Sequence, residues 1–148
     1  MIIERSQKDK DLVYLHIAKS VANLSKDPST KVGCIIVDKE GGIHPGYNGF
    51  PQWIEDRSEW LEDREIKLML TIHAETNAIK KAGKLAEGGC LYLSTLIPCQ
   101  NCAIQIVHAK LSRVVAWKQE FPERWRDDMN KATWILGRGK VHLDFVGE

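Results

Sequence analysis

Two short motifs leave this chain few ways to fold: His73-Ala74-Glu75 and, after a strand-length stretch, Pro98-Cys99-Gln100-Asn101-Cys102. Side chains two residues apart on a helix lie about 200° apart around its axis, from a period of about 3.6 residues. His73 and Glu75 can therefore converge on one centre only from a helix's first turn, where side chains radiate around the open end. Cys99 and Cys102 are three apart and share a helix face. At a helix N-terminus, free N–H groups and the dipole favour thiolates over thiols. The motifs thus demand two helices whose N-termini aim at a common point.

One imidazole and two thiolates are zinc ligands. Three protein ligands with a fourth position open describe a catalytic zinc, whereas structural sites close with four. Zinc moves the pKa of a coordinated water from about 15.7 towards ~7. Glu75, close by but not a ligand, can take that proton and return it to a ring nitrogen and to leaving ammonia. The paired motifs resemble those of zinc deaminases, which implies as target an amidine carbon such as C4 of cytosine. Two other readings use fewer residues. A dithiol oxidoreductase needs Cys99 and Cys102 but no His-x-Glu. A non-catalytic, zinc-stabilised binding module needs a fourth ligand, for which Cys34 and Cys90 are the remaining cysteines. Both lie in apolar strand patterns and read as small core residues. His16, His44, His108 and His142 have no ligand spacing and read as surface or satisfied interior histidines.

With 148 residues, 43% hydrophobic and 28% charged, the chain reads as one globular domain over 1–148. A formal net charge of +1 argues against a surface built to bind nucleic-acid phosphates. Met1 to Lys10 lacks the apolar core of a signal peptide, and no apolar run of ~18 residues could span a membrane. A cytoplasmic protein that meets no membrane is expected, and in that setting a C-x-x-C pair points to metal or redox chemistry.

Apolar spacing predicts a first helix over Asp11 to Leu24, ended by Asp27-Pro28, then a strand over Lys31 to Val37. A turn at Gly41-Gly42 leads to a second strand near Ile43 to Tyr47. Gln52 to Leu70 is charged, contains Trp53 and Trp60, and reads as a helix or an ordered excursion. Helices follow from His73 to Ala82, Cys99 to Lys110 and Glu123 to Leu136, the last closed by Gly137. They alternate with strands at Cys90 to Thr95, Arg113 to Lys118 and Val141 to Val146. The early turn implies antiparallel pairing and the later alternation parallel pairing. The expected fold class is α/β, with a five-stranded mixed sheet and helices on both faces. The tryptophans at 53, 60, 117, 125 and 134 suit either core packing or a subunit interface.

These motifs resemble the cytidine-deaminase-like superfamily, a three-layer α/β/α fold, and within it the deoxycytidylate (dCMP) deaminases. The likeness is carried by Ser25-Lys26-Asp27-Pro28-Ser29-Thr30-Lys31-Val32-Gly33, Gly46-Tyr47-Asn48-Gly49-Phe50-Pro51, His73-Ala74-Glu75-Thr76-Asn77-Ala78-Ile79 and Pro98-Cys99-Gln100-Asn101-Cys102-Ala103. The resemblance implies hydrolysis of dCMP to dUMP and ammonia, feeding thymidylate synthesis. It implies one Zn²⁺ per chain on His73, Cys99 and Cys102, with Glu75 as proton shuttle. Thr71 stands where some relatives place a ligand for a second, structural zinc.

The same resemblance puts Asn48 on the sugar hydroxyl, with Gly46 and Gly49 allowing close approach of backbone to ligand. Ala74 and Pro98 line the substrate pocket, and Lys31 and Arg126 meet the 5′-phosphate. Trp125-Arg126-Asp127 departs from the family's Tyr-Arg-Asp-like segment at its first residue. The resemblance also implies dCTP and dTTP as activator and inhibitor near Tyr47 and Phe50, and a homo-oligomer, often a hexamer. The rival substrates are dCTP, CMP and deoxycytidine. A tRNA-adenosine or polynucleotide deaminase is opposed by the near-neutral charge, because it needs a basic or aromatic track for the strand.

Overall fold

A computed structural model describes residues 1–148. Helix α1 (Gln7–Ala22) starts earlier than its apolar pattern suggests, because the Ser6 side chain accepts from the Asp9 N–H and caps it. It ends before Leu24, which is exposed, so the last residue of the expected apolar stripe lies outside the helix. Strands β1 (Gly33–Val37) and β2 (Ile43–Tyr47) form the predicted antiparallel hairpin. Its turn is fastened by Asp38, which accepts from the Glu40 and Gly42 N–H groups and pairs with His44 at 2.8 Å. His44 is thereby a satisfied interior histidine.

The excursion folds as two short helices, α2 (Ser58–Glu62) and α3 (Arg64–Leu70). Next come α4 (Ala74–Ala82), β3 (Cys90–Leu93), α5 (Gln100–His108), β4 (Arg113–Trp117), α6 (Arg126–Arg138) and β5 (His142–Val146). Helix α6 passes through Gly137 and ends at Gly139, so Gly137 is an interior glycine and not the stop expected of it.

The strand order is β2-β1-β3-β4-β5, with β1 antiparallel to both β2 and β3, and β3, β4 and β5 parallel. Side chains alternate across the sheet. Ile35, Tyr92 and Val115 pack with Leu15 and Ala18 of α1 on one face. Cys34, Ile36, Leu91, Leu93 and Val114 pack on the other with alanines of α4 and with Ile106 and Leu136 of α5 and α6. Three layers result. None of the five tryptophans belongs to the buried core. No helix is long and apolar enough to cross a membrane.

A charged cluster ties the lone helix of its face to the sheet. Asp11 of α1 is buried and takes two hydrogen bonds from the Arg113 guanidinium, both 2.8 Å, and one from the Tyr92 hydroxyl at 2.7 Å. Arg113 Nε donates to Asp144 of β5 at 2.7 Å. Burial pushes the Asp11 carboxyl up, but Arg113, Tyr92 and Gln7 together outweigh it and hold the group below 3.8. The Asp11 contribution is therefore fully present above that pH and drains away as pH falls through the lower folded-state value. Arg113→Met, which leaves Asp11 buried and unpaired, is expected to cost about 3–5 kcal/mol in urea unfolding at neutral pH. The deficit shrinks in acid. A loss below about 1 kcal/mol would show that the cluster behaves as a surface pair.

Candidate metal centre

His73 is the residue immediately before α4, in extended conformation at φ −70° and ψ 154°. Cys99 holds the same position before α5, at φ −69° and ψ 170°. Each motif thus opens a helix, as the two-residue His-x-Glu spacing requires. Cys99 Sγ accepts from the Cys102 N–H at 3.5 Å, one of the free donors of the α5 terminus. His73 Nδ1 stands 3.4 Å from Cys99 Sγ and 3.4 Å from Cys102 Sγ.

The donor atoms of His73, Cys99 and Cys102 all lie within 4.8 Å of one another. This is the one group in the molecule of three or more His, Cys, Asp or Glu donors able to share an ion. Zn–S bonds of about 2.3 Å and Zn–N bonds of about 2.0 Å place tetrahedral S and N ligands about 3.5 Å apart, so the observed edges fit zinc. Two sulfurs and one imidazole form the open, three-ligand kind of set. Cys34 is buried in β1 and Cys90 half-buried in β3, neither in the cluster. Hydrogen bonding from Cys102, and then from His73, holds the Cys99 thiol well below its ordinary range despite burial. The same sulfur–sulfur contact raises Cys102. Contact with Cys99 raises His73.

Glu75 lies in the first turn of α4 and is only 4% exposed. Burial dominates its ionisation and pushes the carboxyl upward. Ala74 and Pro98, the neighbours of the two first ligands, are both buried. Thr76 donates to Gln105 at 2.8 Å and lies 4.0 Å from Cys102 Sγ. That pairing was legible only in part: Gln105 is three residues beyond Cys102, on one face of α5, but nothing in the spacing names Thr76 as its partner.

The helix is seated by a glycine. A methyl group at Gly46 would overlap the Ala74 carbonyl and the Ala78 nitrogen. Gly46 therefore admits α4 against β2, and not a ligand against backbone as the sequence suggests. Gly49 has open space around its α-carbon.

Asn48 is buried. Its Oδ1 accepts from the Val32 N–H and its Nδ2 donates to the Thr30 carbonyl, both at 2.9 Å. A second N–H and a second lone pair remain on that amide. Lys31 is exposed beside it. Arg126 opens α6, is exposed, and pairs with the equally exposed Glu123 at 2.9 Å.

A cleft of about 790 Å³ adjoins the cluster without containing it: neither the three donors nor Glu75 lines it. Its walls include Tyr47, Asn48, Phe50, Asn77, Lys80 and Lys81. Asn77 donates to the Tyr47 carbonyl at 2.8 Å, and the Lys81 ammonium lies 5.9 Å from the Tyr47 ring centre.

Comparison with known proteins agrees with this geometry. Residues 8–118 match the family described as the cytidine and deoxycytidylate deaminase zinc-binding region. An uncharacterized deaminase from the luxG 3′ region of Aliivibrio fischeri is 39% identical over 135 residues, 90% of each chain. A probable deoxycytidylate deaminase of Caenorhabditis elegans is 38% identical over 105 residues, 68% of this chain and 53% of that one. The present chain thus spans about half the length of the nematode protein. The dCMP deaminase of cyanophage S-TIM5, solved with dCMP and dUMP, superposes with a TM-score of 0.71 over 97% of this chain and 100% of that one, at 23% identity. That likeness establishes the fold. The chain belongs to the cytidine and deoxycytidylate deaminase zinc-binding family, and zinc is the cofactor its donor set fits.

Gly46→Ala is expected to push the N-terminus of α4 away from α5 and lower zinc occupancy after purification. The check is metal analysis beside circular dichroism: reduced zinc with the helix signal retained supports the role, and full occupancy contradicts it.

Proposed function

We propose that the chain hydrolyses dCMP to dUMP and ammonia, with His73, Cys99 and Cys102 as zinc ligands and Glu75 as the proton carrier. Support for the chemistry comes from one observation above all: a buried carboxylate in the first turn of the helix that His73, one of three clustered zinc-type donors, opens. Support for the nucleotide comes from the deoxycytidylate deaminases among its relatives.

In the reaction a C–O bond forms at C4 of the pyrimidine and the C4–N bond breaks. Bound zinc supplies a Lewis acid that makes water acidic near neutral pH. Glu75 accepts the water proton, delivers it to ring N3, and carries the next proton to the departing amino group. A carboxylate that coordinated the metal could not move protons in this way.

Ala74 and Pro98 are assigned to the pocket wall, and the free N–H and lone pair of Asn48 to the sugar hydroxyl. Lys31 and Arg126 are assigned to the 5′-phosphate: Lys31 as a point charge, Arg126 by exchanging its exposed Glu123 partner for a bidentate phosphate contact. The adjoining cleft, with Tyr47 and Phe50 beside Lys80 and Lys81, is the proposed place for a dCTP or dTTP effector. A homo-oligomer is proposed on the strongly exposed Trp53 and Trp134, which a solitary chain would leave in water.

An ammonia-release assay over dCMP, CMP, dCTP and deoxycytidine, with and without dCTP and dTTP as effectors, tests the assignment; preference for any substrate but dCMP refutes it. Glu75→Ala is expected to keep zinc while turnover falls by at least about 10²–10⁴-fold. Retained turnover would remove Glu75 as proton carrier. Arg126→Ala is expected to raise KM for dCMP far more than for deoxycytidine, and equal effects would place Arg126 outside the phosphate site.

A further inference from the structure

The excursion between β2 and α4 contributes one charged side chain to the interior. Lys67, on α3, is 13% exposed at its side chain, and its ammonium donates to Asp27 Oδ1 at 3.1 Å and Ser29 Oγ at 2.8 Å. Asp27 is equally enclosed, and the same Oδ1 accepts from the N–H groups of Ser29 and Thr30, both at 2.9 Å. Lys67 therefore closes a tight loop that its own carboxylate has already begun to fold.

That loop leads straight to Asn48. The Thr30 carbonyl takes the Asn48 Nδ2–H and the Val32 N–H bonds Asn48 Oδ1. Ser25 Oγ donates to the Asn48 carbonyl at 2.9 Å. On its other side α3 runs directly into the metal centre. The Thr71 hydroxyl donates to the Lys67 carbonyl, and Ile72 exchanges backbone bonds with Gly49 at 2.8 and 3.1 Å. The next residue is His73. The Lys67 ammonium thus ties segment 67–73 to segment 25–32, and both are hydrogen-bonded to 47–50.

We propose that Lys67 is a positioning residue: a clamp that sets the 27–32 loop and hence the orientation of Asn48 and Lys31 relative to the metal ligands. A near-buried ion pair adds little net stability, since desolvation cancels much of its attraction, but it fixes register. Without Lys67 the Asp27 carboxylate would keep the Ser29 and Thr30 N–H bonds but lose its only cation, so loss of the clamp loosens the loop while leaving that charge hydrogen-bonded. The kinetic consequence rests on the assignment of Asn48 and Lys31 to the nucleotide.

Two readouts test it on the intact zinc-loaded protein. In hydrogen exchange, Lys67→Met is expected to speed exchange across the peptide covering 27–32 while β3 keeps its protection. In steady-state assays it is expected to raise KM for dCMP about tenfold, as loss of a charged hydrogen bond would, with kcat held within about twofold. Lys67→Arg, which keeps the charge and two donors, is expected to recover most of both effects, and Ser29→Ala to give a smaller KM rise. Unchanged exchange at 27–32, a fall in kcat with KM unmoved, or an Arg variant no better than Met would each overturn the clamp. Absence of wild-type turnover on dCMP would instead reject the substrate assignment, and the exchange comparison alone would then decide the clamp.

Discussion

The convergence of two helix N-termini on one point is the constraint on which this structure rests. Each places a donor able to bind a metal at the residue just ahead of the helix, His73 for α4 and Cys99 for α5. Each helix opening carries N–H groups without an intrahelical partner, one of which, at Cys102, bonds Cys99 Sγ. The sheet makes the meeting possible. Helix α5 follows the carboxyl end of β3, and because β1 and β2 run antiparallel, Gly33 and Tyr47 lie at that same end. The segments 30–33, 47–50, 71–75 and 94–99 are thereby gathered around one mouth. This is the ordinary place for a ligand on an open α/β sheet, at the carboxyl edge where the topology changes direction.

Close packing of α4 on the sheet carries the same constraint into the core. Gly46 lets β2 approach the first turn of α4, and Ala74, Ala78 and Ala82 keep the buried side of that helix small. Burial of Glu75 follows from this seating, and with it the upward shift of its carboxyl. A larger residue at 46 would move the helix that His73 opens and that carries Glu75. Packing and chemistry are thus joined at one glycine, 27 residues ahead of the nearer motif.

Much of this was readable from residue order. The strand positions, the antiparallel start and parallel continuation, and the metal motifs at helix openings all follow from local patterns with short-range physical causes. What escaped the pattern has long-range causes. The burial of Asp11 escapes the local pattern because its partners, Arg113 and Tyr92, lie far along the chain. Lys67 reads in sequence as one more charge of the 52–70 stretch, since its partners Asp27 and Ser29 precede it by some forty residues. Gly46 was read towards a ligand because sequence does not say which helix will cover it. Gly137 read as a stop, yet glycine also tolerates a helix interior at a modest cost.

X-ray absorption at the zinc edge of the purified protein tests the central claim most directly. The account predicts two sulfur scatterers at about 2.3 Å and two nitrogen or oxygen scatterers at about 2.0 Å, with one of the lighter pair exchangeable for an added small anion. A shell of three or four sulfurs, or two light scatterers that no anion displaces, would mean that a fourth amino acid closes the metal, and would contradict the account.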